Sequence, residues 1–287
     1  MGPNPPIAVD RHGGNDERDN FVAVGRSPGN RAMCCGMFTR AIVLGSVAIS
    51  AAGCGDSNTV SPVEAPGAPT SAKTKVLEAG AAIVQGKAPV EGLNVYLDGF
   101  HFASGDMKAQ AEAHHFCSVL NEEVFQCVIY DGNGDDAKIM GVEYVISRRL
   151  FEALPVEEKK LWHSHVHEVK SGQLMAPGLP GPAERWLMEK LVGTYGKTWH
   201  TWHTERADTL PLGPPVLMMG FIADGQADPD MVDERDQRFR SSSRAKREER
   251  ASIPAPRVAP GADAWKDGEA LQLQLLSVAP GAVSHGK

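Results

Sequence analysis

Residues Trp162-His163-Ser164-His165-Val166-His167-Glu168 place three imidazoles at alternate positions. Imidazole nitrogen is the most frequent protein donor to Zn²⁺ and related ions, so the spacing invites a test as a metal site. On a β-strand all three rings project from one face, because side chains alternate with period two. Adjacent members of the set then stand about 7 Å apart, close enough for two to converge on one ion. His163 and His167 stand roughly 13 Å apart and share that ion only across a bulge. The stretch therefore predicts a two-histidine half-site. Glu168, with Trp162, Ser164 and Val166, faces the other side of such a strand and supports it instead of joining the ligands.

Other donors must complete the site. Eight of the ten histidines lie between His101 and His203. His114 and Cys117 are three apart, as are Glu112 and His115, so each pair shares a face if the segment is helical. The spacing is not that of the HExxH zinc-protease helix, which needs histidines four apart. Glu143, set among Gly141, Val142, Tyr144 and Val145, is either an edge residue or a buried carboxylate that needs a partner. The candidate set is two of His163, His165 and His167 with His114, and Glu143 or Cys117, around Zn²⁺ or another divalent transition metal. Three protein ligands and an open position make such a centre catalytic; four make it structural. The competing reading is a set of core histidines hydrogen-bonded to backbone or carboxylate. Trp199-His200-Thr201-Trp202-His203-Thr204 pairs an aromatic with an imidazole on each face, which packing explains. No G-x-S-x-G elbow, P-loop or strand-borne G-x-G-x-x-G is present. Asp131-Gly132-Asn133-Gly134-Asp135-Asp136 has calcium-like residues without the register or distal Glu of an EF-hand, and reads as a hairpin turn.

The elements that must position these groups follow from periodicity. Lys75–Val84 has helical spacing and Leu93–Leu97 alternates like a strand. Asp106–Leu120 reads as a helix, with Asp106 as cap and Ala109, Ala113, Phe116 and Leu120 as its apolar stripe. Val124–Tyr130 and Lys138–Ile146 form a hairpin about the Asp-Gly-Asn-Gly turn. Ser147–Leu161 is helical with a restart at Pro155, and His163–Val169 is the strand of the imidazole triplet. A loop over Gly172–Pro182 leads to a helix near Ala183–Tyr195, and Lys197–Thr204 and Pro215–Ile222 are strands. Hairpin and crossovers together predict an α+β fold: a mixed, largely antiparallel sheet with a β-hairpin and several packed helices in a single domain.

Composition and the N-terminal region set the boundaries. With 36 acidic residues against 29 Lys and Arg, the chain is not a general nucleic-acid binder. Residues 1–36 lack any period and read as a disordered or non-native leader. Met37-Phe38-Thr39-Arg40 and the apolar run 41–53, ending in small residues before Cys54, read as a lipoprotein-type signal peptide over 37–54. Cys54 is then the acylated residue that anchors the chain to a membrane, and Met33 or Met37 the start. Position 51 is Ala where lipoprotein signals favour Leu, and a cleaved ordinary signal or a buried apolar segment are the alternatives. Residues 55–73 are a Ser/Pro/Gly/Ala linker, 74–232 the domain, and 233–287 a charged segment, solvated or disordered, followed by a Pro/Gly-rich tail held by Trp265. Only Cys117 and Cys127 belong to the domain, as a disulfide or as two reduced buried thiols.

Several segments together resemble one family. They are Ala113–Cys117, Gln126–Asp131, Gly141–Ser147, Glu157–His165 with Glu168–Gly172, Tyr195–Lys197 and Leu210–Gly213. In this order they are similar to the oil body-associated proteins, a domain of unknown function, over roughly residues 75–250. The resemblance implies association with lipid droplets in plant members and carries no established catalytic residue. His114, His115, His163, His165 and Glu168 fall inside its motifs. His167 sits where plant relatives often carry another residue, such as Tyr, which favours His163 and His165 as the useful pair. Because those relatives are cytosolic, the resemblance speaks against a needed Cys117–Cys127 disulfide. The expectation is a membrane-anchored envelope lipoprotein without enzymatic activity, whose partners are the membrane through Cys54 and a lipid or envelope protein. The alternative is a metal-dependent, hydrolase-like enzyme using His114, His163 and His165.

Overall fold

In the computed structural model, residues 58–277 are described. The leader, the apolar run and Cys54 lie outside them.

Seven strands build the frame: β1 (Val95–Ala103), β2 (Asp106–Asn121), β3 (Val124–Tyr130), β4 (Ile139–Ile146), β5 (His163–Ser164), β6 (Tyr195–His200) and β7 (Val216–Met219). All their pairings are antiparallel, in the order β4-β3-β2-β1-β7-β6-β5, and β4 also pairs with β6. That last pairing closes six strands into a barrel, which leaves few unpaired edges. The fold is α+β, as expected. The sheet is antiparallel throughout among the described strands.

The segment Asp106–Asn121 is a strand of 16 residues, not a helix. Its apolar residues fit both periods, but the Ser104-Gly105 turn, with Gly105 at φ 90°, folds it back on β1. Register then decides which face each residue takes. Leu97 opposes His115, His101 opposes Ala111, Cys117 opposes Cys127, and Cys127 opposes Glu143; these line the barrel interior. Tyr96, Asp98, Phe100, Glu112, His114 and Phe116 face outward. Cys117 and Cys127 are joined by a disulfide between neighbouring strands. Of the two alternatives for this pair, a disulfide or two reduced thiols, the structure has the first, although the resemblance speaks against a needed bond.

The wall has a gap. β7 pairs with β1 only at Phe102 and Ala103, and with β6 only over Thr198–His200. The first half of β6 pairs instead with β5, and Met175 bridges to Asp98 on β1. Segment 163–176 therefore fills the space between β1 and β6.

Helices cover the outside. These are α1 (Ala72–Val84), α2 (Ala88–Glu91), α3 (Arg148–Glu152), α4 (Val156–Lys159), α5 (Val166–Ser171), α6 (Gly181–Leu191), α7 (Pro229–Arg238) and α8 (Ser243–Glu249). Ser71, Ser147, Asp228 and Ser242 cap their helices through side-chain oxygens. Leu187, Met188 and Leu191 of α6 plug one end of the barrel against Phe125, Cys127 and Val145. A second apolar layer, with Phe100, Phe102, Leu217 and Phe221, lies outside the wall beneath Met231, Val232 and Trp265.

The charged segment from Asp233 is ordered into α7 and α8, solvated over much of its surface but anchored to the barrel by buried arginines. Arg235 is fully buried, bonded to Asp98, the Gln173 carbonyl and Ser243, and stacked on Phe100. Arg250 is buried on the carbonyls of Val169 and Leu174 and on Glu184. Composition hides this, because the segment docks through two arginines in place of an apolar stripe. The tail contributes more than Trp265: Asp263 accepts hydrogen bonds from the backbone and hydroxyl of Ser164 and so fixes β5. Residues 58–63 lie against the β3–β4 turn, where the Thr59 carbonyl accepts from Asn133 and Gly134 and the Ser61 hydroxyl donates to Asp131.

Candidate metal centre

The imidazole triplet does not sit on a strand. β5 ends at Ser164, and the chain turns at His165 (φ −87°, ψ 1°) into α5. His163 and His165 still converge, because one leaves the strand and the other begins the turn. Glu168, one helical turn on, comes back to them, which corrects its assignment to the opposite face. His167 points out toward Asp224, 3.8 Å away, and is incidental to the cluster.

Glu143 is the focus. Its Oε1 lies 3.3 Å from His165 Nε2 and 3.5 Å from His163 Nε2. Its Oε2 lies 2.8 Å from His115 Nε2 and 3.9 Å from His101 Nε2. Four Nε2 atoms thus surround one carboxylate inside the barrel. Glu168 Oε1 adds a further oxygen 3.7 Å from His163 Nε2. All six residues are buried, none more than 5% exposed. Two glycines make the space. A Cβ on Gly196 would collide with Glu143, His165 and His163, and one on Gly220 with Glu168 and His163.

Protonation follows from the surroundings. Thr194 donates its hydroxyl to the Leu191 carbonyl at 2.7 Å, so it must accept from His165 Nδ1 at 2.8 Å. His165 Nε2 is then the ring atom turned to Glu143, 3.3 Å from its Oε1. Burial opposes the charge on Glu143, but the close His115 imidazole and the His165 hydrogen bond hold it well below the usual carboxylate range. Burial pushes His163 down to about 3 and His101 well below the ordinary imidazole value, so both are neutral donors at pH 7. Burial, followed by repulsion from Glu143 and Asp263, pushes Glu168 well up.

The hydrogen bonding is incomplete in an informative way. Both ring nitrogens of His163 and both of His115 are buried without a hydrogen-bond partner; the close His115–Glu143 approach lies off the hydrogen-bond line. Such groups ordinarily cost about 1–3 kcal/mol each. An ion would satisfy one nitrogen of each ring that binds it. Ligand atoms around tetrahedral Zn²⁺ stand roughly 3.3 Å apart, near the separations of His163 and His165 from Glu143. His101, Glu143 and His163 form one group of donors within 4.8 Å of one another, and His163, His165 and Glu168 form another. Beside them is a cavity of about 20 Å³, room for one water-sized occupant.

Two expected ligands lie outside this cluster, although His114 forms a separate group of close donors with Asp98 and Glu112. Cys117 has its sulfur in the disulfide. His114 faces outward from the barrel, with Tyr96 Oη 2.8 Å and Asp98 Oδ2 3.2 Å from Nδ1, and Glu112 Oε1 3.4 Å from Nε2. Arg235 and Arg238 already pair with those carboxylates, so this group clasps α7 to the wall. The sequence does not assign His115 because β2 reads as a helix, nor His101 because the alternation on β1 is read only to Leu97. Alternation of Ala111, Ala113, His115 and Cys117 was the signal that could have found His115.

An antiparallel barrel with an imidazole–carboxylate cluster at its centre defines a class of candidate metal-binding proteins. Comparison then gives the lineage. A family model described as "Protein of unknown function (DUF1264)" matches residues 87–254. Oil body-associated protein 1B of Arabidopsis thaliana is 42% identical over 226 residues, covering 78% of this chain and 94% of that protein. Oil body-associated protein 1A of Zea mays is 47% identical over 194 residues, covering 68% and 82%. Oil body-associated protein 2A of Zea mays is 43% identical over 204 residues, covering 70% and 81%. The chain belongs to the oil body-associated protein family. No solved structure matches it. These plant relatives, named for oil bodies, overturn the expectation of a lipid-anchored protein of the bacterial cell envelope.

Proposed function

We propose that this chain is a non-enzymatic oil body-associated protein whose barrel is stabilised by one divalent transition metal ion, Zn²⁺ being the simplest fit. His101, His163 and Glu143 are the core ligands, and His165 completes them. The observation that carries the reading is the convergence of three buried imidazoles on one ionised carboxylate, with both nitrogens of His163 lacking a hydrogen-bond partner. His101, Glu143 and His163 already lie within 4.8 Å of one another, and with His165 drawn in four protein ligands would close the coordination sphere, as in structural zinc sites. A hydrolytic reading needs room for a substrate beside the ion, and the cavity of about 20 Å³ offers room for a water alone. Association with oil bodies follows the names of the relatives, and the ion's part is to hold together the domain that does so.

The test is metal analysis of untagged protein with a thermal scan. About one ion per chain, and a transition raised by added Zn²⁺, are expected. At free ion 100 times Kd the gain is about 2.7 kcal/mol. Absence of stoichiometric metal together with no shift on adding Zn²⁺, Cu²⁺ or Ni²⁺ would sink the reading.

A further inference from the structure

From the centre a line of donors leads to the end of the barrel where β6 finishes. His101 Nδ1 lies 3.4 Å from His200 Nε2. The His200 and His203 ring centroids are 6.4 Å apart, and His203 Nδ1 lies 2.9 Å from Glu205 Oε1. Exposure rises along the line: His200 is fully buried, His203 is 3% exposed, and the Glu205 side chain is 16% exposed. Each station holds one buried atom without a hydrogen-bond partner: His200 Nδ1, His203 Nε2 and Glu205 Oε2. These residues do not gather as one group of ligand atoms among the described residues, so they make successive stations and not a second centre. Packing explains an aromatic beside an imidazole. It does not explain three unpaired donors in a row ending at a carboxylate near solvent.

We infer that Glu205, His203 and His200 form the route by which a divalent transition metal ion reaches the barrel centre. Glu205, the most exposed side chain of the three although its Oε2 is buried, is the first to meet the cation, which its negative charge attracts. His203 and His200 then offer lone pairs in turn, so the ion exchanges one nitrogen for the next without crossing apolar core in a bare state. His101, bonded to His200 on one nitrogen and facing Glu143 with the other, is the last donor.

This rests on the metal reading above, and the experiment separates the two. Metal-free full-length protein is mixed with Co²⁺, and the visible absorption of the bound ion is followed by stopped flow. Wild-type, Glu205→Gln and His203→Gln are compared, and final cobalt content is measured. About tenfold slower loading in both variants, with one Co²⁺ per chain at the end, is expected. Loading at the wild-type rate in both variants overturns the route and leaves the centre intact. Lost final content in Glu205→Gln, which alters charge at the rim with little change of shape, also overturns it. Wild-type protein that takes up no Co²⁺ sinks the metal reading itself.

Discussion

At the scale of single residues, the site is a contest between burial and coordination. If His163 and His101 serve only as core histidines, replacing either leaves metal content unchanged. As ligands, His163→Ala and His101→Ala each lose the ion and the Zn²⁺-dependent rise in melting temperature, read by metal analysis and a thermal scan. Gly196→Ala is the sharper probe, since it adds one methyl and removes no ligand. Its Cβ collides with Glu143, His165 and His163, so loss of metal and a destabilisation of about 1–3 kcal/mol are expected in denaturant titration. Wild-type metal content in this variant would contradict the placement of the ion. Of these residues, Glu143, His163 and His165 were legible in the sequence, as an isolated acid between apolar neighbours and a close imidazole pair. His101 and His115 were not, since their faces depend on strand register. Glu168 was misplaced because nothing local announces the turn at His165.

Acid response belongs to this scale too. In the metal-free fold His163 and His200 are held down to about 3 and His114 to about 4, in each case by burial first. Burial also holds His101 well below the ordinary value. An unfolded chain takes up protons on these four below about pH 6.5. A group whose folded pKa is depressed leaves stability intact above its unfolded value and removes it as pH falls toward the folded one. Burial works the other way on Glu112, raised to about 7, and on Glu168, so the fold holds two protons that the unfolded chain lacks above the ordinary carboxylate range. Burial also lowers His167 and raises Asp98 and Asp263, so five imidazoles stand against four carboxyls and the imidazoles still prevail. Stability of the metal-free protein should therefore fall from pH 6.5 to 5, by about 1.4 kcal/mol per pH unit for each net proton. Denaturant midpoints that are flat or rise over that window would refute the balance.

At the scale of elements, two segments that look dispensable hold the barrel. α7 is fastened by Arg235 on Asp98, both fully buried. Removing the cation strands a buried carboxylate, so Arg235→Met should cost about 3–5 kcal/mol, and Asp98→Asn in the same chain should recover part of it. Equal loss in single and double variants would mean that the pair is not the fastening. Charge density alone made this segment read as solvated, because sequence shows charges and not their partners. The β3–β4 hairpin, in contrast, was legible to within a residue, since both strands alternate and the Asp-Gly-Asn-Gly turn is local. The strand β2 was not: alanines satisfy helical and strand periods alike, and only its pairing with β1 and β3 settles the matter.

At the scale of the molecule, the fold class was legible and the closure was not. An α+β domain follows from local signals, whereas the β4–β6 pairing joins residues some fifty positions apart that no local pattern links. Closure is what creates the site, by bringing β1, β2, β4 and the β5–α5 segment around one volume. Among the described residues no helix is long and apolar enough to cross a membrane. The most direct test of the account is a crystal structure of untagged protein with anomalous data on either side of the zinc absorption edge. The account predicts one anomalous peak inside the barrel, about 2.0–2.2 Å from His101 Nε2, His163 Nε2 and a Glu143 oxygen. Full hydrogen bonding of those imidazoles to waters, with no peak within coordination distance of them, would contradict it.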